Sequence, residues 1–218
     1  FNNNKFKDRL TLPFEKIKDL RYGENPHQKS SLYKINDNPI KQLSGKELSY
    51  NNIIDLEIAI QLSLELKQKS CVIVKHGNPC GVASDLKQNN SYAKAHRSDS
   101  ISAFGGIIAF NTKLLPETAR NIKKQFSEIV VAPKITKEAR KILSPKKNLI
   151  LIEYKKKKNQ TYDFKSTYNF LLVQEHNLYR IQKKKLKLMS NRKPTQNEIN
   201  DVVFANNVCK YVNSNAIV

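Results

Sequence analysis

An α/β fold with a largely parallel or mixed sheet is the class this sequence predicts, and two observations carry it. Short apolar runs alternate with segments of helical periodicity along most of the chain. The runs "CVIV" (71–74) and "IVVAP" (129–133) carry no polar position, the mark of strands covered on both faces.

The elements follow in chain order. The first twenty residues are polar and lysine-rich and predict a linker feeding the domain, and "SLYKI" (31–35) predicts a short strand. In "NNIIDLEIAIQLSLELKQ" (51–68) apolar residues alternate from Leu56 to Leu66, a strand-like pattern in a run too long for a strand. Leu56, Ile60 and Leu64 also recur at intervals of four, and asparagine stands in N-cap position, so a helix is predicted. "CVIV" and "GIIAF" (106–110) predict two buried strands. Pro116 opens a helix whose apolar face is predicted to run through Ala119, Ile122, Phe126 and Ile129. "IVVAP" predicts a strand, Thr136 a helix cap, and "NLILIEY" (148–154) and "FLLVQ" (170–174) two more strands. Thr195 and Glu198 have the spacing of a capping box, ahead of a helix with a predicted buried stripe at Ile199, Val202, Ala205, Cys209 and Val212.

At 218 residues the chain can bury one sizeable core or two small ones. It begins on Phe1 and stops on "NAIV", which has the look of a strand just starting, so it is read as a piece of a longer protein. Three unpatterned cysteines, no apolar stretch of ~20 residues and no signal-peptide layout predict a soluble cytoplasmic protein without a membrane partner. The net charge of +20 raises the question of nucleic acid. Only 7 of the 39 basic residues are arginine, however, and the lysines are spread along the whole chain. Base and phosphate readout favours the forked guanidinium. The runs "KKKK" (155–158) and "KKKLK" (183–187) therefore read as solvated surface, and no nucleic-acid partner is expected.

Three stretches concentrate chemistry. "RYGENPHQ" (21–28) sets a guanidinium that can grip an anion with two parallel bonds, Arg21, beside the flat amphipathic face of Tyr22. "KHGNPCG" (75–81) ends a buried strand on Lys75 and His76 and continues through Asn78, predicted as a turn presenting backbone amides. Carboxyl ends of strands are where open α/β sheets collect ligand groups. Desolvation and the adjacent lysine would leave His76 neutral, a general base near neutral pH. "HRSDSISAFGG" (96–106) places Phe104 before Gly105, an aromatic beside backbone that a ligand can approach closely. A zinc deaminase site needs His-x-Glu and Pro-Cys-x-x-Cys. Pro79-Cys80 has no second cysteine and no such histidine before it, so neither zinc nor any other metal is expected.

Taken in order, "RYGENPHQ", "LSYNNI", "VIVKHGNPCG", "SDSISAFGGIIAFN" and "VNSNAIV" resemble the transformylase domain of the bifunctional family that joins AICAR formyltransferase (AICAR is 5-aminoimidazole-4-carboxamide ribonucleotide) to IMP cyclohydrolase. The resemblance runs from about Leu10 to the end. It implies a cytidine-deaminase-like three-layer α/β/α domain with a mixed sheet. Residues 1–10 would be a linker from a cyclohydrolase domain, 11–212 the first half of the transformylase domain and 213–218 the start of its second half. It further implies that Arg21 and Tyr22 contact the nucleotide and that Lys75 and His76 are the catalytic pair, His76 as proton acceptor. Phe104 and Gly105 would form the wall of the nucleotide and folate pocket, Glu128 would hold the ribose hydroxyls, Asn78 would bind substrate, and Asn215 would lie near the reacting amine as a catalytic residue. The implied co-substrate is 10-formyltetrahydrofolate, and the implied assembly is a homodimer with shared active sites. Ser100 departs from the family's Ser-Asp-Pro turn, which removes a backbone restraint but no functional group. The rival reading, a basic nucleic-acid-binding α/β domain without enzymatic activity, predicts salt-dependent retention on DNA that AICAR does not change.

Overall fold

The computed structural model of the chain describes residues 6–35, 38–156 and 162–218. Six strands form one mixed sheet in the order β3-β8-β7-β6-β4-β5. These are β3 (Ile40–Ser44), β4 (Lys69–Lys75), β5 (Asn78–Asp85), β6 (Ile107–Phe110), β7 (Ile129–Ala132) and β8 (Ile150–Tyr154). β6, β7 and β8 are parallel, with Ile107 opposite Ile129 and Ile129 opposite Ile150. β4 runs against β6 and is paired on its other side with antiparallel β5, while β3 runs against β8. β1 (Glu15–Leu20) and β2 (Ser30–Lys34) form a separate hairpin, as do β9 (Tyr162–Thr167) and β10 (Phe170–Glu175).

Helices cover both faces, so the expected three-layer arrangement is present. On one face α1 (Tyr50–Glu65) lays Leu56, Ala59 and Leu62 onto Val72, Val74, Ile107 and Val131, and Val208 of α5 (Gln196–Cys209) joins the same cluster. On the other, α2 (Gln88–Ser98), α3 (Pro116–Lys123) and α4 (Lys137–Leu143) pack Tyr92, Ala95, Ile122 and Leu143 against Ile73, Ile108 and Val130. Successive strand residues feed opposite layers, and for that reason the buried stretches 71–74, Ile107–Phe110 and Ile129–Ala132 are apolar throughout. Each fully buried aliphatic side chain contributes about 1.5–3 kcal/mol of transfer free energy.

Several expectations are corrected. Part of the predicted linker is strand β1, although residues 6–10 form no strand or helix and are exposed; residues 1–5 lie outside the described part. Ser49, not Asn51, caps α1, and Asn52 completes its capping box. "NPCG" is not a turn but the first half of β5; Pro79 is tolerated there because β5 is an edge strand with one partner. α3 stops at Lys123, which leaves Phe126 half-exposed beyond it and Ile129 in β7. In α5 the buried residue is Val208, while Val202 is exposed, so the predicted stripe is misplaced. Of the "KKKK" run, Lys155 and Lys156 are exposed, and Lys157 and Lys158 are outside the described residues. Among the described residues no helix is long and apolar enough to cross a membrane.

α2 sits directly on β5, where a Cβ on Gly81 would lie 2.1 Å from the Ala95 carbonyl oxygen. Gly81→Ala is therefore expected to destabilise the protein by about 1–3 kcal/mol through overpacking. A lower urea midpoint would register this, and an unchanged midpoint would mean that α2 is not seated as described.

Candidate functional site

The direction of β4 decides where the site forms. Because β4 is antiparallel to β6 and β7, its carboxyl end lies beside their amino ends. Lys75 therefore emerges next to the segments that lead into β6 and β7, which carry Gly105 and Glu128. The strand-end rule holds for Lys75 alone; the other two groups enter from amino ends.

A two-residue turn, His76-Gly77, joins β4 to β5, with Lys75 opposite Asn78. Both turn residues have positive φ, 53° and 73°. Left-handed pairs of this kind are favoured in hairpins and are normally filled by Asn-Gly. Histidine there costs about 1–2 kcal/mol relative to a relaxed backbone. His76 is exposed, so the burial expected to keep its ring neutral is absent from this chain. Asp55 of α1 lies beneath the turn and accepts the Gly77 N–H at 2.7 Å. From the other side, the Asn78 side-chain oxygen Oδ1 accepts the Asn213 N–H (3.0 Å).

Lys75 Nζ donates to the Phe104 carbonyl at 2.8 Å, which ties the turn to the "AFGG" segment. Phe104 is 60% exposed and packs against Phe126, with ring centroids 5.0 Å apart and planes tilted by 43°. Gly105 has φ +76°, a conformation that favours glycine, and a Cβ there would press on the Phe126 ring at 3.3 Å. Gly106 in turn accepts the Glu128 N–H at 3.2 Å.

Glu128 is fixed by the start of α1. Asn52 Nδ2 donates to its Oε2 at 2.9 Å, while the Asn52 oxygen accepts the Ser49 N–H in the capping box. Lys46 stands 3.6 Å from its other oxygen. The start of α1 also receives "RYGENPHQ": Tyr50 N–H donates to the Tyr22 carbonyl, and Asn51 Nδ2 to the Glu24 carbonyl. Arg21 is exposed, lies 4.6 Å over the Tyr22 ring and donates to its hydroxyl at 2.8 Å.

The fold thus gathers Lys75, His76, Asn78, Phe104, Gly105 and Glu128 at one end of the sheet and ties Arg21 and Tyr22 to the helix start beside them. Asn215 is exposed and hydrogen-bonds Ser214 (3.3 Å); its neighbour Asn213 is the residue that reaches the turn. Sequence reasoning missed Asp55 and Asn52. Asn52 had a usable signal, its position three after a serine. Asp55 had none, for an acidic residue on an amphipathic helix normally faces solvent. A cavity of about 380 Å³ opens behind Phe126, with Ser127, Lys146, Lys147 and Asn148 on its wall. The Ser127 hydroxyl is buried and makes no hydrogen bond within the described protein. Burial, then neighbouring Lys123, pulls the Lys146 ammonium below its ordinary range.

Cys80 donates to the Ile73 carbonyl, and burial pushes its thiol up to about 11, the profile of an inert packed group. Among the described residues no cluster of three His, Cys, Asp or Glu could hold a metal.

Burial raises the Asp55 carboxyl above the ordinary range; the Gly77 and His76 amides and the His76 charge pull it down, and Glu128 pushes it further up. A raised carboxyl means that the folded state holds the proton more tightly than the unfolded chain. Stability is therefore lost as pH rises from the ordinary aspartate value of 3.8 through the folded value. Asp55→Asn is expected to raise the melting temperature at neutral pH and to lose that advantage below the window, as calorimetry at two pH values would show.

The family model described as "AICARFT/IMPCHase bienzyme" matches residues 1–218. A "Bifunctional purine biosynthesis protein PurH" from Thermoanaerobacter sp. (strain X514) is 46% identical over 225 residues, covering 100% of this chain and 44% of the relative. Its namesake from Buchnera aphidicola subsp. Schizaphis graminum is 48% identical over 226 residues, covering 99% of this chain and 43% of the relative. The chain thus spans less than half the length of the curated relatives it matches.

Proposed function

The chain belongs to the AICARFT/IMPCHase bienzyme family, and from that premise we propose that it supplies part of a formyltransferase site acting in purine biosynthesis. The reaction moves a formyl group from 10-formyltetrahydrofolate to the 5-amino group of AICAR. The observation that carries this reading is the convergence of the Lys75–His76 turn, the Phe104–Gly105 wall and Glu128 at one end of the sheet. Residues 11–212 are assigned to the first half of the transformylase domain and 213–218 to the start of its second. Residues 1–10 are assigned to a linker from a cyclohydrolase domain. The full-length protein is assigned to the cytoplasm as a homodimer, with no nucleic-acid partner, and the 218-residue piece alone to little or no activity.

Each residue has a task in that chemistry. The 5-amino group is a weak nucleophile, its lone pair delocalised into the carboxamide-bearing ring. His76 takes a proton from it, directly or through the carboxamide, as its nitrogen bonds to the formyl carbon. The bond from that carbon to folate N10 then breaks, and N10 leaves with a proton. Lys75, held at the Phe104 carbonyl, faces the oxyanion of the tetrahedral intermediate, with Asn215 a second candidate donor. Loss of one such donor typically costs about 3 kcal/mol in the transition state. Glu128, oriented by Asn52, accepts from the ribose hydroxyls, and Asn78 fixes the far side of the turn. Arg21 and Tyr22 bind the nucleotide, the guanidinium gripping its phosphate. Phe104, packed against Phe126, offers a flat apolar surface to a planar ring. No metal is assigned a part.

In the full-length enzyme, His76→Ala is expected to lower turnover by roughly 10²–10⁴-fold, the range for a positioned general base, with a much smaller change in AICAR affinity. Lys75→Ala should be severe, Arg21→Ala should weaken nucleotide binding, and Lys156→Ala on the exposed surface should be silent. Steady-state kinetics with equilibrium AICAR binding checks all four. A folded His76→Ala protein that formylates AICAR at the normal rate removes the catalytic assignment.

A further inference from the structure

We propose that Asp55 is the positioning residue of the catalytic turn: its carboxylate accepts the Gly77 N–H and so holds His76 in the left-handed backbone conformation that presents the imidazole at the sheet end. The inference rests on the formyltransferase reading of His76 given above.

Four observations support it. The bond is short, 2.7 Å, and links residues on separate elements, the second turn of α1 and the β4–β5 connection. Asp55 is partly buried, and its neighbours Leu56 and Ala59 are packed in the core, so the helix that carries the carboxylate cannot drift relative to the strand. A non-glycine residue at φ 53° persists only where its surroundings impose it. An Asn-Gly turn would take this shape unaided, whereas His-Gly needs an outside hold. Finally, a carboxyl raised by burial is a group that the fold retains at a cost to stability, a pattern common among residues kept for function. Gly77 does not supply the hold itself: a Cβ there would meet nothing closer than Asn213 Nδ2 at 3.7 Å, so the glycine serves conformation and not packing.

The carboxylate acts here as an acceptor, and this separates the proposal from a charge effect on His76. Asn at position 55 keeps an oxygen that accepts from Gly77, Glu keeps the charge but displaces the oxygens by one methylene, and Ala keeps neither. In the full-length enzyme, Asp55→Ala is expected to lower kcat about 10- to 100-fold with KM for AICAR unchanged within about twofold, as misplacing a reacting group typically does. Asp55→Asn should retain kcat within about threefold, and Asp55→Glu should behave as Ala does. If the Ala variant does not fold, the Asn and Glu pair decides. Normal turnover in folded Asp55→Ala or Asp55→Glu, alongside a crippled His76→Ala, overturns the positioning role and leaves the formyltransferase reading intact. So does a crippled Asp55→Asn beside a normal Asp55→Glu. Normal turnover in His76→Ala would instead remove the reading on which the proposal stands.

Discussion

β4 lies between β5 and β6 with Cys71, Val72, Ile73 and Val74 all shielded from solvent, and it runs against the three parallel strands beside it. From Cys71 to Val74 the strand is buried and uncharged, so its first charged groups after Lys69 appear together at its carboxyl end. Its reversed direction puts that end beside the amino ends of β6 and β7. Were β4 parallel to its neighbours, Lys75 and His76 would open on the far edge of the sheet from Gly105 and Glu128. The site is thus a consequence of one strand's orientation.

Hydrogen bonds from elements distant in sequence then set the geometry. Lys75 is tied to Phe104, Glu128 to Asn52 and Gly106, and the His76-Gly77 turn to Asp55 and, through Asn78, to Asn213. Two of these partners, Asn52 and Asp55, stand within one turn of each other on α1. That helix is fixed by its apolar face against the sheet, so packing energy is converted into positional precision at the polar end. A change in how α1 seats would move both the Glu128 carboxylate and the β4–β5 turn.

What the sequence disclosed follows the same physics. The buried strands were visible because burial on both faces excludes polar residues, and "CVIV", "GIIAF" and "NLILIEY" obey that without exception at their centres. β5 was hidden by its edge position, which allows Asn, Pro and Gly in a strand and made it look like a turn. α2 was hidden by its polarity: only Gln88, Ser91, Tyr92 and Ala95 are buried, too few apolar positions to reveal a period. The α3 face was extended too far because Phe126 and Ile129 keep helical spacing past the point where Lys124 closes the helix. Most site residues were named from motifs, which record chemistry whatever the local structure. Asp55 was not, because its partner lies 22 residues away and only the folded chain brings the two together.

The central claim is that formyl transfer occurs at the end of β4. Its most direct test is a crystal structure of the full-length protein with AICAR bound. The account predicts the 5-amino or carboxamide group within about 3 Å of the His76 ring, hydrogen-bond distance, with the ribose hydroxyls on Glu128 and the base beside Gly105. A nucleotide bound with neither His76 nor Glu128 in contact would contradict it.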